Sequence, residues 1–267
     1  MTSFEHDDRS LAETYDRVSD LQFESGKRLV ERLGVERGLR VLDVGCGTGR
    51  LAHWIAARVG PTGGAIGIDP VAQRIDVARA RGGTATFEIG QAEELGAFAD
   101  ASFDVVCMSS VLHWVSDKAR ALAEVHRILR PGGRLGVTTV PHELSTVSTV
   151  GLVLDHVLAR APYAGRVDRS MLTFVTGRAT TTDLVSLVLE SRLELVELHV
   201  TPSVRIFASG EAVVDFMEAS AFGTLLRPVP LAPRSALRDD LIAAFDARSG
   251  PEGVAVRAWG LLFIATR

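Results

Sequence analysis

The chain has 267 residues, 29 Lys plus Arg against 33 Asp plus Glu, a formal net charge of -4 at pH 7 and two cysteines. That length suffices for one large α/β domain with a sizeable core, and the weakly acidic balance gives no bulk attraction to nucleic acid or an anionic membrane. Cys46 and Cys107 are too few for a disulfide framework and lack zinc-ligand spacing, no apolar run approaches the roughly 20 residues of a membrane span, and the acidic start Met1–Asp8 lacks the order of a signal peptide. The expectation is a cytoplasmic protein without a metal centre.

Residues 9–33 carry Leu11, Tyr15, Val18, Leu21, Leu29, Val30 and Leu33 at helical spacing and predict a helix ended by Gly34 and Gly38. From Leu39 short β-branched runs alternate with amphipathic segments: strand 40–44, helix 49–59, strand 65–69, helix 71–81, strand 84–88, strand 103–108, helix 117–129 and strand 133–139. Pro61-Thr62-Gly63-Gly64 and Pro131-Gly132-Gly133 are turn signals where a helix must reverse into a strand. Such alternation means βαβ units and a parallel sheet with helices on both faces.

Past Val140 the rhythm changes to helix 145–159, a loop with Pro162 and Gly165, helix 180–191, strand 193–200, helix 210–221, a proline-rich turn 228–233, helix 234–247 and strand 254–265. With no repeat, linker or low-complexity tract, the reading is one domain over 1–267: a core of about 35–140, 180–201 and 253–266, and lid or acceptor elements of about 1–33, 141–179 and 202–250.

The chemistry centres on Val41-Leu42-Asp43-Val44-Gly45-Cys46-Gly47-Thr48-Gly49, an apolar strand running into three alternating glycines and then a helix. Glycine permits positive φ and lets a ligand lie on the backbone, although a plain strand-to-helix turn would also use glycine. Ligands of open α/β sheets bind at the carboxyl ends of the strands, where strand order reverses. The other strand ends there are Gly67-Ile68-Asp69-Pro70, Gly90-Gln91-Ala92-Glu93-Glu94 and Met108-Ser109-Ser110. Asp69, about 20 residues after the last glycine, is placed to accept from ribose hydroxyls or to cap the following helix. A dinucleotide fingerprint is G-x-G-x-x-G, but here the third glycine comes one residue early and Arg50 holds the sixth position. Asp43 would repel a pyrophosphate and suit a cationic cofactor.

VLDVGCGTG, GIDP, GQAEEL, SFDVVCMSSVLHWV and LRPGGRL, in that order, resemble the motifs of class I S-adenosylmethionine-dependent methyltransferases. The resemblance covers about residues 20–140. It implies a Rossmann-like, seven-stranded, mostly parallel sheet with helices on both faces and helical lid insertions, and S-adenosyl-L-methionine as cofactor. Matched residue by residue, it implies that Asp43, Gly45, Cys46, Gly47 and Gly49 meet the methionine part, Asp69 and Pro70 the ribose, and Gln91 and Ala92 the adenine, with Glu93 a substitute acid because the family's acid at position 91 is Gln91 here. It further implies main-chain contacts from Ser109, and Tyr15 closing over the cofactor.

For the acceptor, His113 and Trp114 follow the fourth strand, and His142 follows the fifth. His113 reads equally as general base or as a structural histidine, and His142 is the second candidate. Tyr15-Asp16-Arg17 with Leu21-Gln22 and His113-Trp114-Val115 is similar to carboxyl-directed methyltransferases of the trans-aconitate, malonyl-carrier and juvenile-hormone-acid type, which implies that Gln22 and Trp114 hold an acceptor carboxylate. An amide and an indole N–H both donate to an anion, and a carboxylate needs no base.

Leu154, Tyr163, Phe174, Phe207, Phe216 and Met217 in the insertions are expected either to line an enclosed apolar cavity or to pack on the sheet. Arg160, Arg166, Arg169 and Arg178 form a rim from which one or two could meet an acidic acceptor. The expected activity is methyl transfer to oxygen or carbon of a small, mainly apolar metabolite, with carboxylate O-methylation as the alternative. A nicotinamide oxidoreductase or a non-methylating cofactor-binding protein are the readings from other classes. Composition leaves the oligomeric state open.

Overall fold

A computed structural model of the chain describes Glu13, Asp16 and residues 19–167, 178–221, 225–227 and 229–267, with 231 and 232 by backbone alone. Tyr15, Arg169 and Phe174 lie outside the described residues. The sheet contains β1 (Arg40–Val44), β2 (Gly64–Asp69), β3 (Thr86–Ile89), β4 (Phe103–Ser109), β5 (Leu129–Thr139), β6 (Glu194–Phe207), β7 (Ser249–Gly250) and β8 (Gly253–Thr266). Its order is β3-β2-β1-β4-β5-β8-β6, with β7 pairing β8 off that path. Pairs among β1 to β5 are parallel, and β8 runs antiparallel to both β5 and β6. Strand order therefore reverses between β1 and β4, which is where such a sheet opens a crevice for a ligand.

Local chemistry sets the helices. In α2 (Arg50–Val59), Leu51, Ala52, Ile55, Ala56 and Val59 form one buried stripe, as a 3.6-residue period requires. The helices α1 (Asp20–Arg32) and α2 cover one face of the sheet, where Leu29, Leu33, Leu51 and Ile55 pack with Val41, Val105 and Cys107. On the opposite face α4 (Lys118–Ile128) buries Leu122, Val125 and Ile128 against Leu42, Val106 and Met108. Asp117 caps α4, its side chain accepting from Arg120 N at 2.9 Å. The helix α3 (Ala72–Ala80) lies after β2, with Ile75 and Ala78 packed on Ala52, Phe87 and Cys46. These elements are the parallel sheet with helices on both faces that the alternating pattern predicts.

The second half departs from the sequence reading in four places. The expected strand 193–200 runs on to Phe207, because β6 pairs with β8 along its whole length, from Glu194↔Thr266 to Phe207↔Val254. Beyond Thr139↔Leu261, where β5 stops, the two strands project as a ribbon past the carboxyl end of the sheet, so residues 202–207 belong to the sheet and not to the lid. The short β7 makes the sheet eight-stranded where seven were expected. The single helix 145–159 is two, α5 (His142–Thr146) and α6 (Thr149–Leu158), split because Ser148 accepts from Gly151 N at 3.0 Å and starts a new helix. After α7 (Thr181–Glu190) and α8 (Gly210–Ser220), α9 begins at Leu231 and not 234, because Pro233 sits in the first turn, where no intrahelical donor is needed.

The ribbon carries a cap with its own core. Leu154 of α6, Val214 and Met217 of α8, and Leu237, Leu241 and Phe245 of α9 pack with Tyr163, Phe207 and Val254. Leu154, Tyr163, Phe207 and Met217 thus form the interior of this cap, and Phe216 packs against it. Tyr163 Oη donates to Asp240 at 2.6 Å. Helices α8 and α9 cross so closely at Gly210 that a Cβ there would lie 2.3 Å from the Ile242 carbonyl oxygen. Gly210→Ala should therefore lower cap stability by about 1–3 kcal/mol through overpacking, read as a lower urea midpoint; an unchanged midpoint would contradict this close crossing.

Candidate active site

The glycine turn lies between β1 and α2, at the reversal of strand order. Gly45, Gly47 and Gly49 all take positive φ, at 69°, 54° and 79°, a region that a side chain makes costly. The turn is pinned from below, with Gly45 N and Cys46 N donating to Ile68 O at 2.7 and 2.9 Å. Contact is tight at both ends: a Cβ on Gly45 would lie 2.3 Å from Val111, and one on Gly49 would lie 2.7 Å from Ala78.

Asp43 points from β1 into this turn region and is 2 % exposed. Its Oδ1 accepts from Cys107 Sγ at 3.5 Å, and its Oδ2 is buried with no hydrogen-bond partner. Burial pushes the Asp43 carboxyl up to about 7, the nearby Asp69 charge adding to the rise and the Cys107 contact opposing it. Burial likewise holds the Cys46 and Cys107 thiols well above their usual range, so both stay protonated. An orphaned carboxylate oxygen beside a side-chain-free backbone fits a ligand bearing positive charge and disfavours a phosphate.

Asp69 is also buried, and its two oxygens serve the backbone: Oδ2 accepts from Gly47 N and Oδ1 from Val71 N, each at 2.9 Å. The carboxylate therefore joins the end of β2 to the glycine turn and shapes the start of α3, and Pro70 beside it is half-buried. Further round the rim, Gln91 is exposed and Ala92 buried. Glu93 Oε1 accepts from Ser116 N and Asp117 N, at 2.9 and 3.2 Å. That side chain steadies the turn before α4, an occupation that the sequence reading did not anticipate.

At the end of β4, Ser109 Oγ lies 3.3 Å from Thr138 Oγ1. Ser110 takes φ 62°, uncommon for a residue other than glycine, and its N–H donates to Thr138 O and Oγ1 at 2.9 and 3.0 Å. This bend sends the chain into Leu112-His113-Trp114-Val115. His113 Nδ1 lies 3.1 Å from Thr139 Oγ1. Burial, with the Arg178 and Lys118 charges nearby, holds the imidazole well below its usual value, so it is neutral at pH 7. Trp114 lies 5.1 Å from the His113 ring and packs on the cap core. Gln22 of α1 buries its Oε1 without a partner.

His142 separates from this group: it is exposed at the start of α5, its N–H donating to Ala179 O at 3.0 Å. Arg160 and Arg166 are exposed, whereas Arg178 is half-buried near His113. Sequence reasoning placed Ser110 at a strand end without its left-handed bend, and missed Thr139 and Arg205 of β6, whose guanidinium lies 4.4 Å from both the Phe207 and Phe216 rings. Among the described residues no group of three His, Cys, Asp or Glu side chains could hold a metal ion, and no helix is long and apolar enough to cross a membrane.

Residues 42–137 match the family described as "Methyltransferase domain". The malonyl-[acyl-carrier protein] O-methyltransferase of Yersinia pestis is 36% identical over 132 residues, covering 48% of this chain and 47% of that protein. The demethylmenaquinone methyltransferase of Staphylococcus aureus is 37% identical over 135 residues, covering 47% of this chain and 55% of that protein. The match thus spans about half the length of these curated relatives. Among solved structures, an S-adenosylmethionine dependent methyltransferase of Mesorhizobium loti superposes with a TM-score of 0.53 at 22% identity, covering 90% of this chain and 96% of that one. This shared architecture is the Rossmann-like fold that the motif resemblance implies.

The raised Asp43 pKa has a direct thermodynamic consequence. Because the folded chain holds this proton more tightly than the unfolded one, the stability it contributes is complete below 3.8 and is lost as pH rises toward about 7, a loss of up to roughly 4 kcal/mol. Asp43→Asn mimics the protonated form, so relative to the parent the ligand-free variant should gain stability between about pH 4 and about pH 8 in urea denaturation. A variant that is less stable than the parent at the higher pH would contradict the burial of this charge.

Proposed function

We infer that this chain, which carries a methyltransferase domain within a Rossmann-like fold, transfers a methyl group from S-adenosylmethionine to oxygen or carbon of a small, mainly apolar metabolite. One observation carries the cofactor half of the reading: the buried, unpartnered Asp43 Oδ2 beside three glycines of positive φ. When bound, S-adenosylmethionine supplies a methyl group already activated by its sulfonium. The chain's own task is then to align the acceptor and exclude water. We assign the methionine part to Asp43, Gly45, Cys46, Gly47 and Gly49, and the ribose to Asp69 with Pro70 beside it. Gln91 and Ala92 line the adenine edge, with Glu93 behind them.

For the acceptor half, a neutral imidazole beside the turn supports His113 as the base that takes a proton from an attacking hydroxyl or carbon acid. Thr139 holds its Nδ1, leaving Nε2 for the proton. Trp114, between His113 and the cap core, is suited to walling the acceptor from water. The exposure of His142 argues for His113 over it. Two buried thiols without a disulfide suit a reducing, cytoplasmic setting.

A narrower reading, O-methylation of a small organic carboxylate, draws on Gln22 of α1, whose side-chain N–H can donate to an anion. The name of the Yersinia pestis relative points the same way.

The two readings separate in one kinetic series, scored by formation of S-adenosylhomocysteine with hydroxylated aromatic and small dicarboxylate acceptors. With a protonated acceptor, His113→Ala should lower kcat by about 10²-fold or more while leaving S-adenosylhomocysteine affinity unchanged. With a carboxylate acceptor, His113→Ala should leave kcat nearly intact and Gln22→Leu should raise the acceptor KM about tenfold. If none of these acceptors yields S-adenosylhomocysteine above background, the methyl-transfer reading fails.

A further inference from the structure

The turn that carries His113 and Trp114 runs from the end of β4 to the start of α4 and is anchored by its apolar members. Leu112 and Val115 are buried in the sheet core together with Ala92 and Leu95 from the segment after β3. The two residues between them, His113 and Trp114, meet Thr139 and the cap. At the entry to the turn β5 holds the backbone through Thr138, which accepts from Ser110 N. At its exit the hold comes from the segment after β3: Glu93 Oε1 accepts from Ser116 N at 2.9 Å and from Asp117 N at 3.2 Å. Lys118 Nζ closes the bend by donating to Val115 O at 2.7 Å. The segment after β3 is fastened to α4 a second time, where Leu95 N donates to Glu124 Oε2 at 3.1 Å.

We propose that Glu93 is a positioning residue for the step at the acceptor: its carboxylate fixes the exit of the turn between β4 and α4, and thereby the placing of His113 and Trp114, and it is not a ligand of the cofactor. The inference rests on the acceptor reading above. Three features support it. The Glu93 oxygen is engaged by two successive amides at the start of α4, where unpaired N–H groups and the helix dipole favour a carboxylate. The turn bears two large rings in its middle, and Thr138 and Glu93 hold it from opposite ends, so release of either end frees the rings. The Glu93 charge also favours the Lys118 ammonium against its burial, and that ammonium, with Arg178, is one of the charges that keep His113 neutral. Glu93 therefore acts on His113 both through the backbone and through Lys118. Ser116 and Asp117 are exposed, so losing these two bonds loosens the turn without unfolding the chain.

The test compares Glu93→Ala with Glu93→Gln, using S-adenosylhomocysteine as the binding probe and hydroxylated aromatic acceptors in the rate assay. Glu93→Ala should lower kcat about tenfold and leave S-adenosylhomocysteine affinity unchanged. Glu93→Gln, whose amide oxygen still accepts from both N–H groups, should recover most of the rate. In the His113→Ala background Glu93→Ala should slow the reaction no further, because it acts through that residue. Weaker S-adenosylhomocysteine binding with kcat unchanged at saturating cofactor, or losses in the two single variants that multiply in the double, would overturn the proposal. The ligand-free chain gives a second readout. In Glu93→Ala the Ser116 and Asp117 amides should exchange faster while those of β4 keep their protection, and the His113 imidazole, followed by NMR, should titrate closer to the ordinary histidine range. Exchange at Ser116 and Asp117 equal to that of the parent chain would overturn the proposal. If the parent chain methylates none of these acceptors, the acceptor reading fails, and the exchange measurement still decides whether Glu93 sets the turn.

Discussion

A carboxylate buried without a full set of donors is the constraint around which this molecule is arranged. Asp43 lies on β1, 2 % exposed, with one oxygen answered by a thiol and the other by nothing among the described residues. An apolar residue there would pack better, so the charge is retained at a cost to stability. Its neighbours make sense relative to it. The glycines after it leave backbone without side chains, Asp69 braces the turn from β2, and the neutral His113 stands at the end of β4, the next strand across the point where strand order reverses.

The molecule divides its labour between two cores. The sheet core, sealed by α1 and α2 on one face and by α4 and α7 on the other, fixes the ends of β1, β2 and β4 relative to one another. The cap core sits on the ribbon of β6 and β8 and is packed from its own helices. Trp114 touches both, since it follows β4 and packs on the cap. Its placement links the part that fits the donor to the part that would enclose an acceptor, and acceptor choice can change in the cap without disturbing Asp43.

What the sequence makes legible follows from how local each signal is. The run from Val41 to Gly49 carries strand, turn and charge in nine consecutive residues, and Asp69, Ser109 and the Pro131-Gly132-Gly133 turn follow at strand ends, so the first half of the fold can be read directly. That last turn appears as an interruption in the pairing of β4 and β5, between Phe103↔Leu129 and Val105↔Arg134. The ribbon is not legible, because the alternation in 201–207 becomes a strand only through Val254 to Gly260, some 50 residues away. Nor are the left-handed Ser110, the ionisation of Asp43 or the hold of Glu93 on the turn before α4, each of which depends on depth or on a distant partner. The Tyr15-Asp16-Arg17 motif is visible in sequence, yet the partners of Asp16, Thr48 and Arg81, emerge only from the fold.

The most direct test of a cation-seeking site is calorimetric titration of the chain with S-adenosylhomocysteine and with NADH near pH 6.5, in buffers of different ionisation enthalpy. S-adenosylhomocysteine keeps the ammonium group, so the account predicts that it binds with release of the Asp43 proton, that the release vanishes in Asp43→Asn, and that NADH gives no binding heat. Tight binding of NADH without binding of S-adenosylhomocysteine, or S-adenosylhomocysteine binding with the same proton release in Asp43→Asn, would contradict it.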